Sequence, residues 1–205
     1  MKNCDSADLY NSLDWCKGTT VLPGIRPRVF FTKKSNIVKW PLLPEEVATG
    51  KTMGVLATYV GNFELVADKK WLALDILTAE SPVTSESQGD MPARSFLNKV
   101  TLKHAGVEEE ATGFARQANA DDLVYLVQQR NGKFRVVGNE MFETDTKPSQ
   151  ELGASHTDKA GTSLAVEVTD ICPSPFYPGK IETEDGDISG ADGSAWADPS
   201  LAPSE

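Results

Sequence analysis

Residues 123–137 of this 205-residue chain read LVYLVQQRNGKFRVV, which is the clearest single element in the sequence. Asn131-Gly132 is a strong short-range signal for a β-hairpin, because a type I′ turn needs positive φ at both central residues. The first strand, 123–127, is apolar at consecutive positions, whereas a half-exposed strand alternates between apolar and polar residues. We therefore expect a hairpin whose first strand is central in its sheet and covered on both faces.

Other stretches show the alternation of half-exposed strands. Apolar residues alternate with polar ones in 99–103 (VTLK after Lys99) and in 164–169 (LAVEVT). Further strand candidates lie at 26–31, 36–40, 53–60, 63–67 and 71–78. The pattern is therefore that of a mainly β chain.

One helix interrupts the strands. Five apolar residues recur at the spacing of one helical face: Val107, Ala111, Phe114, Ala115 and Ala118. Glu108–Glu110 lie in its first turn, where the helix dipole favours anions, and this position explains the acids better than acid–base chemistry does. About nine or ten strands and one helix are most simply a β-sandwich of two packed antiparallel sheets flanked by the helix.

Composition divides the chain into three segments. Residues 1–24 are a polar arm that ends on a Pro23-Gly24 turn signal, and 25–181 are the β domain. Residues 182–205 are an acidic tail that buries too little apolar surface to fold by itself. Within the domain, 79–98 contains two prolines and no regular period, so we expect a long loop there.

Charge and hydropathy exclude several classes of protein. The net charge is −10, but seven of the acids and no base lie in 182–205, so the first 181 residues carry only −3. A body without clustered Lys and Arg does not favour tight binding of nucleic acid or docking on an anionic membrane. Apolar runs are far shorter than the roughly 20 residues of a membrane span, and the amino terminus is too polar for a signal peptide. We expect a soluble protein made in a reducing cytoplasm.

The search for catalytic residues finds little. Phosphate-binding glycine loops and the G-x-S-x-G elbow are missing from the sequence. His156 lies near Ser155 and Asp158, but neighbours on an extended chain point apart and do not form a triad. The other histidine, His104, has no such neighbours. We expect no catalytic residue, no cofactor and no enzyme activity.

The cysteines and clustered acids do not predict a metal site either. Cys4, Cys16 and Cys172 lack C-x-x-C spacing, so we interpret them as plain thiols. A Cys4–Cys16 bridge is the alternative, and it would need an oxidising compartment. Asp185-Gly186-Asp187 begins like a calcium loop, but the required glutamate does not follow.

The order of elements resembles that of the tail tube proteins (major tail proteins) of tailed bacteriophages. The similarity covers about 50–175 and includes LVYLVQQRNGKFRVVGNE at 123–140, where a strand, an NG turn and a return strand follow the helix. GASHTDKAGTSLAVEVTD at 153–170 looks like the segment that closes the second sheet in that family. Related folds occur in contractile-tail and secretion-system tubes. The resemblance does not extend to the acidic tail.

The resemblance implies a structural virion protein. It implies hexameric rings that stack into a hollow tail tube, assembled in the host cytoplasm, with other tail or connector proteins as further partners. DNA would only pass through the lumen, without specific binding, and no membrane is involved. The arms and the 79–98 loop would contact neighbouring subunits. The candidate contacts are Trp15, Ser85, Gln88, Met91, Arg94 and Trp196.

Three alternatives stay open. A tail terminator, connector or head-decoration protein would share the β body and arms but form a single ring or a trimer. A carbohydrate-binding β-sandwich would need an exposed aromatic platform and usually a secretion signal. An enzyme is the third alternative, and the missing motifs speak against it.

Overall fold

A computed structural model describes residues 12–45, 52–155 and 159–197 of the protein. These residues form thirteen strands and one α-helix, α1 (Glu109–Ala118). The strands are β1 (Ile25–Lys33), β2 (Ile37–Lys39), β3 (Glu64–Leu65), β4 (Leu72–Asp75), β5 (Val83–Gln88), β6 (Ser95–His104), β7 (Leu123–Gln129), β8 (Phe134–Val137), β9 (Asp145–Glu151), β10 (Gly161–Asp170), β11 (Phe176–Tyr177), β12 (Lys180–Thr183) and β13 (Gly186–Ser189).

Two antiparallel sheets pack face to face. One sheet has the order β11-β8-β7-β1-β4, and the other has the order β5-β6-β10-β9. Two small hairpin sheets, β2–β3 and β12–β13, lie outside this pair. The predicted class, a mainly β sandwich flanked by one helix, is confirmed.

Strand β7 is the centre of the molecule, as its apolar sequence predicts. Six of its seven residues are buried. Leu123, Tyr125 and Val127 face the core between the two sheets, which includes Val100 and Leu164. The alternate residues of β7 face a second core on the opposite side of the sheet, formed with Phe30, Phe63, Trp71, Phe134, Tyr177 and Ile181. Both faces of this sheet are therefore covered, which is why β7 lacks polar alternation.

The turn after β7 differs from the predicted type I′ turn. The amide of Gly132 donates to the carbonyl of Gln129, and the amide of Gln129 donates to the carbonyl of Lys133. Gly132 has φ +98°, whereas Asn131 does not have positive φ. This geometry is a type I turn followed by a glycine bulge, the usual form of a longer hairpin loop. The backbone of Asp192 also lies 2.9 Å from where a Cβ of Gly132 would be. Glycine is therefore required both for the positive φ and for this close approach.

The segment 79–98, expected to be a long loop, is mostly β-structure. A 3-10 helix (Thr78–Glu80) leads into β5, which pairs with β6 from Val83 opposite Val100 to Gln88 opposite Ser95. Only Gly89–Arg94 remain as the hairpin tip. The expectation is wrong because β5 is an edge strand with mostly polar residues, so its own sequence lacks the apolar alternation that marks a strand. The predicted strand 53–60 is also wrong in part, since Met53–Ala57 form a 3-10 helix.

The acidic segment 182–205 begins inside β12, so its first part belongs to the folded body. Ile181 is fully buried in the second core, and the amide of Trp71 donates to the carbonyl of Glu182. Lys180 lies 2.8 Å from carboxylate oxygens of both Glu182 and Asp187. Pairing with Lys180 reduces the repulsion among these acids, so this part of the segment folds despite its composition.

Helix α1 closes one side of the sandwich. Ala115 and Ala118 are buried, and the Phe114 ring meets the Phe31 ring edge to face at 5.1 Å. Glu109 and Glu110 lie in the first turn, as expected, whereas Glu108 is the N-cap residue and Val107 lies before the helix. The helix prediction is confirmed for 109–118. No helix in the described ranges is long and apolar enough to cross a membrane.

Candidate assembly surfaces

Among the described residues, β5 pairs with β6 on one side and with no strand on the other. The amide of Thr101 donates to the carbonyl of Pro82, which fixes the alternation of hydrogen bonds between β5 and β6. The backbone groups of Thr84 and Glu86 therefore face β6, while those of Ser85 and Ser87 face outward. Such an edge pairs readily with a strand from another chain.

The opposite edge of the same sheet is less open. Strand β9 contains Pro148, which has no N–H, and it carries exposed charges at Asp145, Lys147 and Glu151. Proline and charge are the devices that prevent pairing at sheet edges. The sheet therefore has one edge that accepts a strand more easily than the other.

Four of the predicted contact residues lie on the β5–β6 hairpin. Met91 is 73% exposed, and Arg94 is also exposed at the tip. Ser85 donates to Asn98 Oδ1 at 2.6 Å, and Gln88 donates to Thr169 Oγ1 at 3.0 Å. The side chains of Ser85 and Gln88 are thus used within the subunit, which leaves Met91 and Arg94 as the free side chains of this group.

The arm lies outside the β body. Every residue from 12 to 24 is exposed, and none is in a helix or strand. The exposed side chains include Leu13 (89%) and Trp15 (68%), together with Val21 and Leu22. Residues 1–11 of the predicted arm lie outside the described residues. Large apolar groups left in water mark a surface for another partner.

Trp196 lies beside its own hairpin. Its amide donates to the carbonyl of Asp187 at 2.9 Å, and its side chain is half-buried. The neighbouring residue Ala195 pairs with Ile188 of β13. Less of Trp196 is therefore available to a neighbouring subunit than an extended tail would offer. Residues 198–205 lie outside the described part of the chain.

The outward face of the four-stranded sheet carries paired charges that the sequence did not single out. Lys99 lies 3.5 Å from Glu86 and 4.0 Å from Glu167, which are its neighbours on β5 and β10. Lys103 and Lys147 of the same face pair with Glu151 and Asp145. The alternation of charged and apolar residues in β6 and β10 is the signal that points to this face.

The structure describes only some of the residues considered for chemistry. His104 is bound through Nδ1 to the carbonyl of Asp75 at 2.8 Å, and His156 lies outside the described residues, as does Cys4. Cys16 is exposed and Cys172 is buried, and burial raises the pKa of the Cys172 thiol to about 11. Within 12–45, 52–155 and 159–197, no three His, Cys, Asp or Glu side chains are placed to hold a metal ion.

Comparison with protein-family models, with curated proteins and with solved structures finds no match to this chain. The surfaces that carry a functional argument are therefore the β5 edge, the exposed arm and the charge-paired face of the four-stranded sheet.

Proposed function

We propose that this chain is a structural virion subunit, a tail tube protein of a tailed bacteriophage. Copies form closed, hexameric rings, and the rings stack into the tube through which DNA passes. The unpaired edge of β5 is the observation that carries this proposal. The chain acts by assembly and performs no catalysis.

The β5 edge suits a ring of identical subunits. A contact between two different surfaces of the same protein closes into a ring when the rotation between copies allows it. The outward N–H and C=O groups of Ser85 and Ser87 offer main-chain hydrogen bonds to the next copy. Such a contact between copies buries well over roughly 1,000 Å² in a stable interface.

The exposed arm supports assembly as well. Leu13 and Trp15 are two residues apart in a segment outside the helices and strands, and both side chains are exposed. Full burial of each contributes about 1.5–3 kcal/mol. A neighbouring subunit is the surface that such an arm reaches in a homo-oligomer.

The charge-paired sheet face supports a conduit for DNA. A polyanion slides past a wall whose lysines are already neutralised, whereas free lysines would bind its phosphates. Lys99 lies between two carboxylates on this face. We therefore assign the outward face of the four-stranded sheet to the lumen.

Negative-stain microscopy of the purified protein tests the proposal, with a substitution that blocks the β5 edge. Ser87→Pro removes an outward N–H but no hydrogen bond to β6, and it keeps Glu86 extended, as a strand requires. We expect the parent and the Ser87→Ala control to form stacked rings. Ser87→Pro should stay monomeric with an unchanged melting temperature.

The microscopy results distinguish between the candidate functions. Tubes formed by Ser87→Pro as readily as by the parent would contradict pairing at this edge. Closed rings that never stack would favour a tail terminator, connector or head-decoration protein. A protein that stays monomeric at high concentration, with other tail proteins present, would contradict assembly altogether.

A further inference from the structure

A slot of about 460 Å³ opens between the two sheets beside β5. Its apolar walls include Ile25, Val83 and Val127. Its polar lining includes Arg135 from β8, Ser85 from β5 and Ser174. The slot therefore combines an apolar floor with a small polar group of side chains, the usual composition of a ligand site.

Arg135 is a partly buried cation without a charged partner in the described part of the chain. Its guanidinium stacks on the Phe176 ring at 4.0 Å, and Nη1 donates to the carbonyls of Pro173 and Ser174 at 3.2 and 2.9 Å. Nε is buried and has no hydrogen-bond acceptor. Burial lowers the pKa of Arg135, because desolvation disfavours the charged form.

The slot is also free of negative charge. None of its lining residues is an acid, although the chain has 30 acids and only 20 bases. Ser85 and Ser174 lie in the lining instead, and their hydroxyl oxygens contact each other at 3.3 Å. A half-buried guanidinium whose neighbours are neutral lacks a counter-charge, and a bound anion supplies it.

We propose that this slot binds a carboxylate group carried on a short apolar chain. Nη2 of Arg135 makes no hydrogen bond to the described residues and donates to a carboxylate oxygen. The methylene groups behind the carboxylate pack on Ile25 and Val127. A single negative charge fits the single arginine better than a doubly charged phosphate does.

Two sources supply this chemistry. One is a free small carboxylic acid, and the other is an acidic side chain of a second copy of this chain. An acidic side chain of a second copy that pairs with the β5 edge would lie next to the slot, because Thr84 and Ser85 line the slot and also belong to that edge. The inference itself stands whether or not the chain assembles into rings.

Titration of the isotope-labelled full chain with butyrate tests the proposal by NMR. We expect saturable shifts of the Arg135 Nε–H signal and of the Ser85 and Ser174 amides. Butyramide, the neutral analogue, and inorganic phosphate should bind at least about tenfold more weakly, since the first lacks the charge and the second carries more charge than one guanidinium neutralises. Absence of saturable shifts, or equal shifts with butyramide or phosphate, would overturn the assignment.

Substitutions test whether Arg135 is the arginine that binds the carboxylate. Arg135→Gln should weaken butyrate binding at least about tenfold, and Arg130→Gln, at an exposed arginine close to Gly24, should not. If Arg135→Gln does not fold, Arg135→Lys keeps the charge but removes Nη2, and it should also weaken binding. Equal binding by the parent and the folded variant would contradict the role of Arg135.

Protein concentration distinguishes the two sources. If a side chain of a second copy is the occupant, raising the protein concentration shifts the same Arg135 signal, and butyrate slows assembly. If the occupant is a free acid, the Arg135 signal does not change with protein concentration and butyrate leaves assembly unaffected.

Discussion

Asp170, at the end of β10, is buried with a carboxylate oxygen that has no hydrogen-bond partner. The residue is 1% exposed. Oδ1 accepts from the amide of Ile171 at 2.6 Å, whereas Oδ2 is buried without a partner. Burial raises the pKa of Asp170 above its ordinary value, because desolvation disfavours the charged form. Folding therefore favours the protonated acid.

The sign of the pH dependence follows from this direction. A folded-state pKa above the unfolded value stabilises the protein fully below the unfolded pKa, about 3.9, and this stability is lost as the pH rises through the folded pKa. Asp170→Asn has no carboxyl group at this position, so the loss of stability with rising pH disappears. We expect the variant to gain stability relative to the parent between about pH 4 and about pH 7.5, measured by urea unfolding. If the variant and the parent differ in unfolding free energy by the same amount at both pH values, the raised pKa of Asp170 is contradicted.

At the scale of elements, the β5–β6 hairpin allows the stability of the monomer and the assembly of subunits to be tested separately. Removal of 84–91 would delete most of β5, so it cannot test the tip alone. Replacing Gly89–Arg94 by Asn-Gly keeps the last pair, Gln88 opposite Ser95, and removes the exposed Met91 and Arg94.

We expect this shortened hairpin to keep its stability within about 0.5 kcal/mol, because the tip is exposed. Stacking should be lost while single rings remain, if the tip contacts the next ring. Thermal unfolding and negative-stain microscopy measure the two effects. Tubes of unchanged length would show that the tip makes no contact between rings.

The C-terminal hairpin β12–β13 belongs to the stability of the monomer. Ile181 is fully buried against Phe63 and Tyr177 in the second core. Ile181→Ala should cost about 2–5 kcal/mol of unfolding free energy, measured by urea denaturation. Truncation after Lys180 should destabilise the chain even more, since it removes β13 as well.

Truncation after Ala197 is the matched control. It leaves the hairpin in place and should keep the unfolding free energy of the parent. Any effect of this shorter truncation on assembly then belongs to residues 198–205. A stable monomer after truncation at Lys180 would contradict the structural role of the hairpin.

At the scale of the whole molecule, the arm links one subunit to another. The double variant Leu13→Ser, Trp15→Ser should raise the concentration needed for assembly at least about tenfold, because each side chain contributes more than about 1.4 kcal/mol when buried in a partner. The melting temperature of the monomer should not change, since both residues are exposed. Sedimentation at a series of concentrations measures the effect.

Leu152→Ser provides the control for the arm. Leu152 is equally apolar and 75% exposed, but it follows β9 rather than lying in the arm. It should leave assembly unchanged. Equal losses from the arm and the control variant would show that exposed apolar residues in general, and not the arm, drive association.

From the sequence alone, the mainly β class, the central position of β7 and a helix from Val107 to Ala118 were predictable, and the structure has the helix at Glu109–Ala118. Each depends on a pattern within one element: an apolar run, an alternation or a helical stripe. These patterns are visible in the sequence because each element packs one or both of its own faces against the core. The turn at Asn131-Gly132 was located correctly, but its type depended on the loop length that the neighbouring strands impose.

Which polar segments are strands, and which charged side chains meet, depends on the tertiary structure. Strand β5 is defined by its pairing with β6, and β12 by the burial of Ile181, so neither has a strong local pattern. The slot at Arg135 joins β5 to the β7–β8 hairpin, which is distant from β5 in sequence. Such sites form by juxtaposition of elements, and a linear sequence carries no periodic signal for contacts between distant residues.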